Sequence, residues 1–175
     1  MKVILSKQQA QPALSDRRLL LRVLSDAEDL CGLDAAFPSR PSAEVHVVIV
    51  DAGRMAELNQ AFLGHSGPTD VLAFDLAEPD PVMPSEPDVV GEVYVCLDVA
   101  LSALTTYGTS LGEEVVLYAV HGMLHLAGLD DADQASRGRM RAEERRVMTA
   151  LQAKYDLRAI FAGSVGSSPK GLEGQ

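Results

Sequence analysis

The run VHVVIV at residues 45–50 constrains the fold of this chain more than any other segment, because every residue in it except His46 is β-branched. β-Branched side chains favour strands, and an almost unbroken apolar run is typical of a strand that is buried on both faces. Three further strands are predicted over residues 2–5, 69–74 and 89–96. Helical segments separate the strands, so the sequence predicts one α/β domain with a mixed sheet of about four strands packed against helices.

The helices are indicated by capping residues at their starts. Asp16 precedes an amphipathic run that ends near Gly32, and Asp51 can cap the helix that follows the second strand. The spacing Ser110-x-x-Glu113 is a capping box at the start of a long apolar helix. The predicted helices cover RRLLLRVLSDAEDL, residues 54–62, residues 98–107, the segment from Ser110 through EVVLYAVHGMLHLAG, and residues 133–155.

Proline, glycine and serine mark the segments without regular structure. FPSRPSA at residues 37–43 is predicted to be a loop, and DLAEPDPVMPSEPD at residues 75–88 is predicted to be a long exposed one. The C-terminal segment is rich in glycine and serine. We therefore expect a single domain over residues 1–160 and a disordered tail over residues 161–175.

Composition excludes several classes of protein. No apolar run approaches the length of a membrane-spanning helix, and the first apolar run is too short for a signal peptide, so we expect a cytoplasmic protein without a membrane partner. Cys31 and Cys96 are too few for a disulfide scaffold and are predicted to be buried thiols. The net charge of −10 opposes a polyanionic partner at long range, although the local distribution of charge matters more than its sum.

The segment HGMLHLAGLDD, which begins at His121, indicates a metal-binding site. On a helix, His121 and His125 are four residues apart and present two imidazoles on one face, which is the geometry that binds one divalent ion. Gly128 can end the helix in the left-handed conformation, after which Asp130 or Asp131 can turn back toward the histidines. Two imidazoles and one carboxylate leave a coordination position for water, as in catalytic zinc sites.

The spacing of this segment is similar to the metzincin zinc-peptidase motif H-E-x-x-H-x-x-G-x-x-H, with Asp131 at the last position. Gly122 stands where those peptidases have the glutamate that acts as general base. Peptide hydrolysis is therefore the less favoured chemistry.

The same run resembles the H-G-x-L-H-L-x-G-x-D-H motif of the YbeY family. Other blocks follow in the order of that family, so the resemblance extends over about residues 44–151. The first block comprises Leu58, Asn59 and Phe62 with TDVLAF at residues 69–74, and it resembles L-N-x-x-Y-R…T-D-V-L-S-F. The second block is GEVYV at residues 91–95, which resembles L-G-D-I-V-I. The third block comprises Met140, Glu143 and Glu144, which fit M-x-x-x-E.

The resemblance implies a metal-dependent, single-strand-specific endoribonuclease that matures ribosomal RNA, notably the 3′ end of the small-subunit RNA, and acts in ribosome quality control. It implies one zinc ion per chain, other divalent metals being possible, and ribosomal RNA and the small ribosomal subunit as partners. His121 and His125 match the first two ligands and the catalytic positions. Asp131 matches the third ligand, usually histidine, and Asp130 is expected to cap the turn or to hydrogen-bond a ligand histidine.

One departure concerns phosphate binding. Leu63 occupies the position where the family has an arginine that assists cleavage, and an aliphatic side chain cannot contact a phosphate. Either Arg54 or an arginine of the last helix replaces that cation, or RNA cleavage is weak. His65, two residues on, is either a substitute cation or base or, as we favour, a surface residue of a loop, and His46 is expected to be a structural residue of its strand.

Two further sets of residues have a structural and a functional interpretation. Thr69 and Asp70 either begin a strand and accept loop hydrogen bonds, which we favour, or face the metal cleft and orient substrate or water. The second set, which we call the arginine stripe, consists of Arg137, Arg141 and Arg145, spaced four residues apart on the last helix. The stripe is either a solvated face, which we favour, or a contact surface for RNA.

The sequence leaves two alternatives to the nuclease. One is a non-catalytic ribosome-assembly factor that keeps the metal as a structural element, and a closed four-ligand site would favour it. The other is a metal-dependent hydrolase with a different substrate, such as a small phosphodiester or a peptide, and Gly122 counts against the peptide.

Overall fold

The computed structural model describes residues 1–8, 12–40, 42–76 and 88–161. They form a four-stranded mixed sheet and six α-helices in one α/β domain, which confirms the predicted fold class. The elements in chain order are β1 (Lys2–Lys7), α1 (Arg17–Cys31), α2 (Leu33–Ala36), β2 (Glu44–Val50), α3 (Ala52–Leu63), β3 (Val71–Asp75), β4 (Val89–Cys96), α4 (Leu97–Tyr107), α5 (Leu111–Leu126), α6 (Gln134–Lys154) and a 3₁₀ turn (Leu157–Ile160).

The strands lie in the order β1-β2-β4-β3. The pairs β1–β2 and β2–β4 are parallel, and β3 pairs with β4 antiparallel at the edge. The run that dominates the sequence thus forms a central strand, where Val45, Ile49 and Val50 are fully buried. A central parallel strand has both faces covered, which explains its almost unbroken apolar sequence.

Helix α5 is the buried helix of the domain and lies against β3 and β4. Two glycines allow the close approach: a Cβ added at Gly122 would lie 2.5 Å from Val93 Cγ1, and one added at Gly91 would lie 2.6 Å from Leu126 Cδ1. Both contacts are shorter than Cβ atoms tolerate, so a side chain at either position would have to displace Val93 or Leu126.

Helices α1 and α6 pack on the outer side of α5 and complete the main core. The opposite face of the sheet carries a smaller cluster, in which Met55 and Leu58 of α3 pack with Val48, Leu72 and Cys96 of the strands. Among the described residues, no helix is both long and apolar enough to cross a lipid bilayer.

Several predicted boundaries differ from the structure. The third strand begins at Val71 rather than residue 69, and just before it the Asp70 carboxylate accepts a hydrogen bond from the Val71 N–H at 2.9 Å. Helix α3 begins directly after its cap, Asp51, which accepts a bond from the Arg54 N–H at 2.7 Å. The short helix α2 and the 3₁₀ turn were not predicted, since segments of four residues have too little periodicity to be recognised.

The chain after α6 remains part of the fold as far as Phe161, which is 2% exposed and pairs with Leu14 in an isolated bridge. The predicted tail beyond it, and residues 77–87 of the predicted proline-rich loop, lie outside the described residues. Cys31 and Cys96 are free and buried, as predicted, and burial raises the pKa of the Cys31 thiol to about 12.

Candidate metal centre and adjoining cleft

Helix α5 places the two histidines side by side. Its capping box forms as predicted, with Ser110 and Glu113 exchanging hydrogen bonds, and the helix runs without a break to Leu126. The Nε2 atoms of His121 and His125 are 3.0 Å apart, and the two rings meet nearly edge to face at 83°. The spacing of four residues therefore brings both imidazoles to one point, as the sequence predicted.

The turn after α5 brings in a carboxylate. Gly128 has a φ of +91°, which is the left-handed conformation predicted for it. Asp130 Oδ1 accepts hydrogen bonds from the N–H groups of Asp131, at 2.8 Å, and Ala132, at 3.2 Å, and so fixes the turn. The carboxylate of Asp131 thereby lies 3.9 Å from His121 Nε2 through one oxygen and 3.9 Å from His125 Nε2 through the other.

Glu144 of α6 orients the first histidine. Its Oε1 lies 2.6 Å from His121 Nδ1, and its side chain is only 19% exposed. This hydrogen bond raises the pKa of His121; burial opposes the shift, and the charges of Glu144, Asp70 and Asp131 add to it. Glu144 was absent from the predicted site residues, although the M-x-x-x-E block that contains it was the available signal.

The hydrogen bonds of the rings determine their tautomers. His121 Nδ1 faces the Glu144 carboxylate, and His125 Nδ1 lies 3.0 Å from the carbonyl oxygen of Leu129. Both partners only accept hydrogen bonds, so each Nδ1 carries the hydrogen and each Nε2 of a neutral ring presents a lone pair. Two lone pairs at 3.0 Å repel each other unless a proton or a metal ion lies between them.

The three side chains fit a divalent ion. A tetrahedral ion with bonds of about 2.0–2.1 Å separates its ligand atoms by roughly 3.4 Å. The observed separations of 3.0 Å between the nitrogens and 3.9 Å from nitrogen to oxygen lie on either side of that value. Two imidazoles and a carboxylate, with an outer carboxylate on one imidazole, form a donor set that suits zinc or a harder ion such as manganese.

A cleft of about 240 Å³ opens beside this cluster, and we call it the histidine cleft. Asp70 contributes to its wall, while Asp70 Oδ1 also accepts bonds from Thr69 Oγ1 and the Val71 N–H, both at 2.9 Å. The structural and the functional interpretation of Asp70 therefore each describe part of its environment. One carboxylate oxygen bonds groups at the start of β3, and the residue also lines the cleft. The lining residues are Asp70, Leu117, Tyr118, His121, Asp131, Arg137, Met140, Arg141 and Glu144.

The arginine stripe is exposed to solvent, as the favoured interpretation predicted, and it runs along this cleft and the groove beside it. Arg137 and Arg141 line the cleft, and Arg145 lines a groove next to it. Arg137 donates to the carbonyl oxygens of Asp131, at 3.1 Å, and Ala132, at 2.9 Å, so it holds the turn that carries the candidate ligand. The stripe thus has one member with a structural task and two that face open space.

The other sequence candidates lie elsewhere. Leu63 is 54% exposed at the end of α3, and Arg54 pairs with Glu57 at 3.0 Å on that helix; neither residue contributes to the described lining of the histidine cleft. His65 is exposed, as predicted, and His46 Nε2 lies 3.0 Å from Glu44 on the sheet.

Gly122 shows why this site has no glutamate after the first histidine. The position points at Val93 of β4, away from the histidine cleft, and even a Cβ would lie 2.5 Å from Val93 Cγ1. A glutamate there would be driven into the core, so this position cannot supply a general base.

Comparisons with known proteins agree with this geometry. A family profile described as Endoribonuclease YbeY matches residues 6–152. An Endoribonuclease YbeY from Salinispora tropica is 40% identical over 120 residues, covering 64% of this chain and 71% of that protein. One from Elusimicrobium minutum is 39% identical over 122 residues, covering 69% of this chain and 84% of that protein. The solution structure of TM1509 from Thermotoga maritima superposes with a TM-score of 0.55 at 22% identity, covering 97% and 99% of the two chains.

Proposed function

Because the chain belongs to the endoribonuclease YbeY family, we propose that it is a metal-dependent hydrolase that cuts single-stranded ribosomal RNA. In this proposal His121, His125 and Asp131 hold one divalent ion, with zinc as the first candidate. The observation that carries the proposal is the convergence of two Nε2 lone pairs and one carboxylate on a single point beside an open cleft. When bound, the ion would lower the pKa of a water ligand and polarise a phosphate oxygen.

The protein's own groups have separate tasks in this reaction. Glu144 holds His121 in the tautomer that leaves Nε2 free, and the Leu129 carbonyl does the same for His125. Asp70 faces the cleft and is positioned to orient substrate or water, with Thr69 holding one of its oxygens. Burial and the nearby Glu114 carboxylate raise the pKa of Tyr118 in the cleft wall, so its hydroxyl stays protonated.

The choice of RNA as substrate is supported by the family and by local charge. The chain as a whole carries a net charge of −10, which repels a polyanion. The exposed guanidinium group of Arg141 nevertheless lines the cleft with His121 and Asp131, and that of Arg145 lines the adjoining groove, so both offer phosphate contacts. We further propose, from the family resemblance alone, maturation of the 3′ end of small-subunit RNA, ribosome quality control and a cytoplasmic location.

Metal binding and RNA cleavage are tested together with three variants. Purified wild-type protein should bind about one equivalent of zinc and cut single-stranded ribosomal RNA. His121→Ala should lose both properties, and Asp131→Ala should bind the ion more weakly. His65→Ala is the matched control, because His65 is an exposed histidine outside the cleft.

The outcomes separate the alternatives. Equal cutting by wild type and His121→Ala would show that the activity belongs to a contaminant. Metal binding without cutting would favour the assembly factor with a structural ion. Unchanged zinc affinity in Asp131→Ala would remove that carboxylate from the site.

A further inference from the structure

A groove continues from the histidine cleft along the surface between α5 and α6. It has a volume of about 280 Å³ and shares Leu117, Arg141 and Glu144 with the cleft. The two form one continuous depression, which we call the α5–α6 groove where it passes beyond Arg141 toward Gln152. A chain-like substrate that reacts beside His121 would extend along it.

The carboxylates of the groove are already occupied by donors of the protein. Glu113 accepts a bond from the backbone N–H of the helix cap at 2.7 Å, Glu114 accepts one from Thr109 Oγ1 at 2.6 Å, and Glu144 contacts His121 Nδ1 at 2.6 Å. These hydrogen bonds partly compensate the negative charge of the three carboxylates, so the groove repels an anion less than three unpaired carboxylates would.

The arginines of the groove have unused donors. Among the residues that the structure describes, neither Arg141 nor Arg145 has a hydrogen bond or an ion pair, and both are exposed. Arg137, by contrast, is held by two backbone carbonyls. A guanidinium offers five donors in a planar fork that matches phosphate oxygens, so two such groups one helical turn apart can reach successive phosphates.

We propose that the α5–α6 groove holds the nucleotides next to the bond that is cut, with Arg141 binding the first phosphate and Arg145 the second. The base of the intervening nucleotide would pack against Leu117 and Met148, the aliphatic part of the groove wall. Arg141 then supplies the cation that Leu63 cannot provide. This inference rests on the proposed function, because it assumes an RNA strand in the histidine cleft.

Salt-dependent binding measures these contacts without relying on cleavage. The zinc-loaded full chain is titrated against a fluorescent 2′-O-methyl oligouridylate of about eight nucleotides over a range of salt concentrations. Arg141→Gln should weaken binding about tenfold and reduce the slope of log K against log salt by about 0.7, the value for one phosphate contact to a single strand. Arg145→Gln should reduce the slope similarly, and Arg141→Lys should restore part of the affinity.

Arg139→Gln is the matched control, since Arg139 is exposed on the same helix and its loss changes the net charge equally. Equal losses in Arg141→Gln and Arg139→Gln would reduce the effect to net charge and overturn the groove proposal alone, provided the wild type binds and cuts RNA. A wild-type protein that neither binds the oligonucleotide nor cuts RNA would refute both the groove and the proposed function.

Discussion

Glu144 should determine how tightly this chain holds a metal ion. Its 2.6 Å contact with His121 Nδ1 joins a carboxylate to an imidazole that is only 23% exposed, so solvent does little to replace it. Losing an outer partner of this kind typically weakens metal binding 10–100-fold, or about 1.4–2.7 kcal/mol. Glu144→Gln can still accept the Nδ1–H and loses only the charge, so we expect about tenfold; Glu144→Ala loses orientation as well and should approach the upper value.

Competition with a chromophoric chelator gives the zinc affinity of each variant. The titration is repeated at several pH values, because Glu144 also raises the pKa of His121 and its removal would reduce proton competition for the ring at lower pH. Glu143→Gln is the matched control: among the described residues, the adjacent carboxylate pairs with Arg146 at 2.8 Å and contacts neither histidine. Equal zinc affinities for the Glu144→Gln and Glu143→Gln proteins would refute the assigned role.

Three further predictions concern stability and are measured by urea unfolding followed by circular dichroism. Gly122→Ala should lower the free energy of unfolding by about 1–3 kcal/mol, because its Cβ collides with Val93. Gly138→Ala, in open space on α6, should raise the free energy of unfolding by about 0.5–1 kcal/mol. Equal effects of the two substitutions would contradict the packing argument. Ser110→Ala should cost about 1 kcal/mol through loss of the α5 cap, and an unchanged stability would show that the cap is dispensable. Burial raises the pKa of Glu28 from 4.5 to about 7, so the folded chain retains a proton there that the unfolded chain releases. That proton stabilises the fold fully below about pH 4.5, and its effect is lost as the pH rises through 7. Glu28→Gln should therefore raise the free energy of unfolding by up to about 3 kcal/mol near pH 8 and by almost nothing near pH 4.5. A gain that does not depend on pH would contradict the assignment.

The main features of the fold were accessible from sequence because they follow from local rules. Four strands and the five longer helices were predicted at nearly their observed positions, since β-branched runs, caps and helical periodicity act over a few neighbouring residues. The errors were at boundaries, such as the start of β3, where Asp70 Oδ1 accepts hydrogen bonds from Thr69 Oγ1 and the Val71 N–H. Residue propensity does not include such side-chain hydrogen bonds.

The residues of the candidate site likewise divide into those placed by local geometry and those placed by packing between elements. His121 and His125 converge because four residues make about one helical turn, and Asp131 follows because Gly128 can reverse the chain two residues past the helix. Glu144 was missed as a site residue because its contact with His121 spans 23 positions and depends on how α6 crosses α5.

The sequence by itself determined the trio of candidate ligands, since all three side chains are placed by one helix and the turn that ends it. Only the tertiary structure decided which neighbours surround that trio: Glu144 behind one imidazole, Asp70 in the cleft wall, and Arg137 tied to the backbone while Arg141 has no hydrogen-bond partner within the described part of the chain. The physical reason is range. Backbone geometry fixes positions within a turn or two of the chain, whereas contacts between distant elements are fixed by packing, here by the close approach of α5 to the sheet that Gly122 permits.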